Sequence, residues 1–191
     1  MKRLLLLSAA LLLGACAHMP GSGVTSEAVD RAAIMDLQGR YVLAMDYFDA
    51  DGYAAVFTED AVLDWARGEV KGRAAIRAFM ADGTYDLRKL NFKPAQTPDG
   101  REWPPMVHHL VTNQVIDING NTARGIAYWM NYSNSADRHK IEWLSFGSWD
   151  DQYVKIDGKW YFKRHTIYNE NNANRFTAGK SNPLSSPARA P

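Results

Sequence analysis

The sequence is poor in cysteine, in net charge and in long apolar runs. Its 191 residues contain one cysteine, Cys16. A lone thiol excludes a disulfide framework and any metal site built on several thiolates. Lys plus Arg number 22 and Asp plus Glu 21, a formal charge of +1. Without a basic field there is little to draw in a polyanion, so no nucleic-acid partner is expected. The five histidines (18, 108, 109, 139, 165) form no His-Glu-x-x-His pair. Adjacent His108 and His109 point to opposite sides of a flat strand and cannot share one ion, so no metal site is expected. No Gly-x-Ser-x-Gly and no Gly-x-Gly-x-x-Gly occurs. Serine-nucleophile chemistry and a phosphate-cradling loop therefore have no motif, and no cofactor is expected.

The one long apolar run is Leu4–Leu13, preceded by Lys2-Arg3 and followed by Gly14-Ala15-Cys16. A positive tip, a run of about ten residues and small residues before a cut describe an export signal, too short for a span of about 20 residues. Leu13-Gly14-Ala15-Cys16 resembles the bacterial lipobox. That resemblance implies cleavage after residue 15, lipid on Cys16 and a membrane anchor in the cell envelope. Ala17, where Asp would favour the inner membrane, implies the outer membrane, facing the periplasm. The division expected is a signal peptide at 1–15, a flexible tether at 16–25, a folded domain at 26–170 and a frayed tail at 171–191, rich in Asn, Ala, Ser and Pro.

Within 26–170 the helical signals come first. Ser26 is the expected N-cap, and Ile34, Leu37, Tyr41, Met45 and Phe48 recur at steps of three and four, the stripe of an amphipathic helix. A short helix is expected over 52–57, a strand over 61–65 and a third helix over 73–80. Residues 84–105 hold Pro94, Pro98, Pro104 and Pro105 and read as a long loop of the kind that covers binding sites. Strands follow at 107–118, 122–132, 142–156 and 160–168, with Asn119-Gly120 and Asp157-Gly158 as hairpin turns. Helices followed by a meander predict an α+β domain: a curved antiparallel sheet wrapped around the long N-terminal helix, a cone with an internal pocket for a small apolar ligand.

Several residues could carry chemistry there. Asp46 is an ionisable group among apolar neighbours, and carboxylates are seldom buried unless paired. Tyr41, five residues earlier, lies about 140° away around the helix. His109 shares a strand face with Val111, Asn113 and Val115, and His108 shares the other with Leu110, Thr112 and Gln114. Both faces mix apolar and polar residues, so periodicity does not choose between the histidines. Trp65, Asn113 and Tyr128 are the candidate pocket-lining residues. Arg164 and His165 in the last strand are further candidates, with parity leaving open which one faces inward.

The run Arg31-Ala32-Ala33-Ile34-x-Asp36-Leu37, with Gly39-Arg40-Tyr41 and Asp46, resembles the SnoaL-like family. So do Phe57-x-x-Asp60-Ala61-Val62, Gly72-Arg73-x-x-Ile76, His109-x-x-x-Asn113 and Tyr153-x-x-x-Asp157-Gly158-x-Trp160. The resemblance covers about residues 27–169 and implies an α+β cone of the nuclear-transport-factor-2-like superfamily. In layout it is similar to the bile acid 7α-dehydratases, the hexachlorocyclohexane dehydrochlorinases and, more distantly, the scytalone dehydratases. These pair a helix Asp with a strand His, and carried over by motif the positions are Asp46 and His109, with Tyr41 as a hydrogen-bond donor. The resemblance thus selects His109 over His108. It implies a cofactor-independent lyase or isomerase for a small hydrophobic, even polycyclic, substrate, and a homodimer. The alternative is a lipid-anchored protein that binds an apolar ligand without reacting it.

Overall fold

The computed structural model describes residues 25–83, 95–96, 99–103, 106–134, 141–173 and 175–185. The leader, Cys16, the tether through residue 24 and most of the proline-rich stretch lie outside these. Helix α1 spans Ser26–Asp46 and buries Ile34, Leu37, Tyr41 and Met45. Its N-cap is Thr25 and not Ser26: Thr25 is extended, and its hydroxyl accepts the Ala28 N–H at 3.2 Å. Phe48 adopts φ 58° and donates to the Met45 carbonyl, so the helix stops two residues short of the expected stripe. Helix α2 (Ala50–Ala55) starts on the Asp49 carboxylate, which accepts the Gly52 N–H at 2.9 Å. Phe57, expected inside that helix, instead opens strand β1 (Phe57–Trp65). Strand β2 (Gly68–Lys71) and helix α3 (Arg73–Ala81) follow. Two short strands, β3 (Ala95–Gln96) and β4 (Glu102–Trp103), pair with each other inside the stretch read as loop.

The meander is formed by β5 (Val107–Asn119), β6 (Thr122–Ser133), β7 (Glu142–Ile156) and β8 (Lys159–Asn169), with turns at Asn119-Gly120 and Asp157-Gly158 as expected. The six-stranded sheet has the order β2-β1-β8-β7-β6-β5 and is not closed. The fold is α+β, but the sheet is mixed and not purely antiparallel, because β1 lies parallel to β8. Local signals could not show this: a parallel neighbour is set by the long connection through α3 and the meander, not by a turn. Helix α1 lies across one face and meets β5 and β8. Residues Trp149, Asp151, Tyr153, Phe162, His165 and Ile167 alternate onto that inner face and are buried. Strand β5 is a free edge of the sheet.

The other face meets the chain after β8. The Arg175 guanidinium donates to the Trp65 carbonyl at 3.0 Å and to Asp64, and Arg124 donates to the Pro183 carbonyl at 3.3 Å. The Lys180 ammonium sits 4.7 Å over the Tyr168 ring. This part of the tail packs against the sheet through charge pairing and a cation–π contact. Among the described residues, no helix is long and apolar enough to cross a membrane.

Candidate active site

Asp46 is the last residue of α1 and stands against the free edge of β5. The His109 Nδ1 lies 2.6 Å from Asp46 Oδ1, and the His109 backbone N–H donates to Oδ2 at 3.1 Å. The carboxylate therefore takes the place that a neighbouring strand would occupy. This explains a departure from simple alternation. His108 and His109 leave opposite faces, so only one was expected to enter the pocket. A carboxylate in the plane of the sheet edge can be reached around both sides. His108 Nδ1 is 3.4 Å from Asp46 Oδ2, although the His108 side chain is 40% exposed while those of His109 and Asp46 are 4% and 3% exposed.

The far side of His109 is also engaged. Asn131 faces it across the β5–β6 register, and the Asn131 amide nitrogen lies 3.1 Å from His109 Nε2. The Asn131 carbonyl oxygen accepts the Ser145 N–H at 2.8 Å and the Ser145 hydroxyl at 3.0 Å. These donors fix which end of the amide points at the ring, because a flipped amide would set N–H against N–H. With Asn131 donating to Nε2, the ring proton lies on Nδ1, facing Asp46. Asn131 and Ser145 were not picked out from the sequence. They belong to no motif, and only the pairing of β5, β6 and β7 brings them to the histidine.

The inner cavity beside His109 is lined by Tyr41, Met45, His109, Trp129, Trp149 and Ile167 and measures about 10 Å³, room for one water at most. Tyr41 shares this wall, but its hydroxyl bonds the Tyr53 hydroxyl at 3.0 Å. The expected lining residues sit elsewhere. Asn113 adopts φ 53° at a bulge in β5, which asparagine tolerates better than most residues. The bulge reverses parity beyond it, so Gln114 and Ile116 turn inward and Val115 outward. Asn113, turned outward by the bulge, and Tyr128, outward by alternation along β6, line a cleft of about 590 Å³ between the outer face and the tail. Trp65 packs on Phe79 of α3 at 4.9 Å, with the Arg67 guanidinium over its ring. Arg164 faces outward and pairs with Glu69 at 2.8 Å and Asp64 at 3.4 Å.

His165 faces inward and forms a second carboxylate–imidazole pair. Its Nδ1 is 2.6 Å from Asp151 Oδ1, and both side chains are fully buried. The Tyr153 hydroxyl donates to Asp151 Oδ2 at 2.8 Å and accepts from the Gln38 amide at 2.7 Å, and Gln114 donates to Gln38 at 2.5 Å. Burial, then the Asp151 charge, push the Tyr153 hydroxyl well above its ordinary range. His165 Nε2 has no hydrogen-bond partner among the described residues. Among those residues, too, no cluster of three acidic, histidine or cysteine side chains could hold a metal ion.

A family model described as a SnoaL-like domain matches residues 26–166. No curated protein sequence matches. Solved structures do. One is a Novosphingobium aromaticivorans protein provisionally described as a scytalone dehydratase: 23% identity over 75% of this chain and 85% of that one, TM-score 0.57. Another is a Catenulispora acidiphila protein in complex with S-DNPA: 20% identity over 75% and 96%, TM-score 0.60. A third, also from Novosphingobium aromaticivorans, is described as NTF2-like with a cystatin-like fold: 18% identity over 77% and 86%, TM-score 0.59.

Proposed function

We propose, from the premise that this chain belongs to the SnoaL-like domain family, that it is a cofactor-independent lyase or isomerase of dehydratase type. The substrate class is a small hydrophobic molecule, polycyclic ketones and alcohols included. The observation that carries this is the buried Asp46–His109 contact of 2.6 Å. A carboxylate on Nδ1 orients the ring and stabilises the imidazolium that forms when Nε2 takes a proton from substrate carbon. For Nε2 to act, the incoming molecule displaces the Asn131 amide, which in the unliganded chain keeps that lone pair covered. The Tyr41 hydroxyl, released from Tyr53, would donate to a carbonyl or leaving oxygen as charge develops. Loss of water, loss of halide and double-bond migration all begin with that proton removal.

The test is turnover or carbon-bound hydrogen exchange on a panel of steroid- and polyketide-like ketones and alcohols. Asp46→Asn and His109→Ala lower it by about 10²–10⁴-fold while the far-ultraviolet spectrum is kept. Unchanged turnover in both variants ends the proposal. The second reading, a binding protein that does not react its ligand, is favoured by the covered Nε2; it predicts ligand co-purification that survives His109→Ala.

Two further readings belong to the same proposal. Cys16 carries the lipid and anchors the domain in the outer membrane facing the periplasm, supported by Lys2-Arg3, the leucine run and Leu13–Cys16. Cys16→Ser then releases the protein from the membrane fraction. The chain forms a homodimer through the outer face of the sheet, where Leu110, Tyr128 and Phe146 are exposed. Light scattering reads the mass directly.

A further inference from the structure

The tail roofs a cleft on the face of the sheet away from Asp46 and His109. Its polar half, about 560 Å³, includes Arg124, Gln152, Arg164 and Thr166. Its apolar half, about 590 Å³, includes Val115, Ile126, Tyr128 and Leu184. The halves meet at Asp150, Tyr168, Lys180, Ser181 and Pro183, which line both. Strand register explains the division. Arg124, Gln152 and Arg164 form one row across β6, β7 and β8, and Ile126, Asp150 and Thr166 form the next row on that face.

The carboxylates of the cleft are matched by guanidiniums. Asp150 accepts from Arg124 at 2.9 and 2.8 Å, and Asp64 accepts from Arg175 and, at 3.4 Å, from Arg164. Lys180 differs: its ammonium lies 4.7 Å over the Tyr168 ring and meets no carboxylate among the described residues. Thr166 stands between Asp64 and Asp150 in the register and is 8% exposed. Its hydroxyl has no hydrogen-bond partner among the described residues, and it lines the polar half. A hydroxyl covered this far and left unpaired by the chain is completed by what enters the cleft.

We propose that this cleft is a second ligand site, and that it takes a small apolar molecule bearing one carboxylate. The apolar body lies on Val115, Ile126 and Tyr128 beneath Leu184. The carboxylate sits where the halves meet and accepts from the Lys180 ammonium and the Thr166 hydroxyl. Apolar lining with a few placed polar groups is the usual build of a small-molecule site: the lining gives affinity and the polar groups fix orientation. The tail supplies Lys180 and Leu184, so the site exists only while the tail is docked. It shares no residue with the Asp46–His109 pair and stands or falls separately from that reading. Leu110 and Phe146 lie outside it.

The test is calorimetric titration of the full chain with naphthylacetate and with the neutral naphthylethanol. The expected result is saturable binding of the acid, with the alcohol about tenfold weaker. Lys180→Met brings the acid down to the level of the alcohol and leaves the alcohol unchanged, whereas Lys180→Arg keeps the preference. Thr166→Val, nearly isosteric, weakens the acid a few-fold. His109→Ala leaves binding of the acid unchanged, which separates this cleft from the inner cavity. No saturable binding of the acid, or an affinity for it that equals that of the alcohol or ignores Lys180→Met, overturns the proposal. So does binding that emerges only as dilution separates the chains, because a second copy would then fill the cleft.

Discussion

The two carboxylate–imidazole pairs have the same 2.6 Å contact and opposite surroundings. Asp151–His165 lies in the middle of the sheet under α1, ringed by Tyr41, Trp149 and Phe162, with Tyr153, Gln38 and Gln114 completing the chain. Asp46–His109 lies at the edge strand, and a half-exposed histidine reaches the same carboxylate. A hydrogen-bonded pair is thus no sign of chemistry by itself. Position separates them: the central pair is tied to α1 through Tyr153 and Gln38, whereas the edge pair is joined at Asp46 by the half-exposed His108.

Variants that separate the pairs sharpen this contrast. The largest expected effect is at the core. His165→Ala leaves Asp151 buried without its imidazole and costs about 3–5 kcal/mol, read as a lower denaturant midpoint. His109→Ala costs less, because Asp46 keeps the strand N–H and His108. If the two substitutions destabilise equally, the distinction between the pairs fails.

Tyr153→Phe comes next, at about 1–3 kcal/mol, since it removes the donor to Asp151 and the acceptor for Gln38. It also changes the alkaline response. The Tyr153 hydroxyl is held protonated in the fold, so its stabilisation is complete below the unfolded tyrosine value near 10 and is lost as pH rises beyond it. Between about pH 9 and 11, the stability of Tyr153→Phe therefore falls less steeply than that of the parent.

The start of α1 gives the smallest effect. Asp30 accepts from Lys155 at 2.6 Å and from the Trp160 indole at 2.9 Å, and these bonds, Lys155 first, hold its carboxyl below the usual range. Its contribution is present above about pH 4 and fades as pH falls through the lowered value. Asp30→Asn should lower the melting temperature slightly at pH 7 and converge with the parent in acid.

Much of the frame was legible from residue patterns, because local rules govern it. The three- and four-residue steps from Ile34 to Met45 mark α1, and the Gly turns after Asn119 and Asp157 mark the hairpins. Two features escaped because they are set by non-local geometry. The bulge at Asn113 reverses parity in mid-strand, which turns Asn113 to the outer face; Tyr128 lies outward by the alternation of β6 itself, between buried Ala127 and Trp129. The sheet edge lets one carboxylate meet residues from both faces, which strict alternation forbids. Asn131, Ser145 and the Asp151–His165 pair carry no local signal, since each depends on strand register.

The candidate site turns on one arrangement: His109 carries its proton on Nδ1 toward Asp46 and accepts the Asn131 amide at Nε2. Nitrogen-15 imidazole spectra of the histidine-labelled protein test it most directly. The expected result is a protonated, strongly hydrogen-bonded Nδ1 for His109, with an unprotonated Nε2, and loss of the downfield Nδ1–H signal in Asp46→Asn. A His109 ring protonated at Nε2, or one whose signals ignore Asp46→Asn, would contradict it.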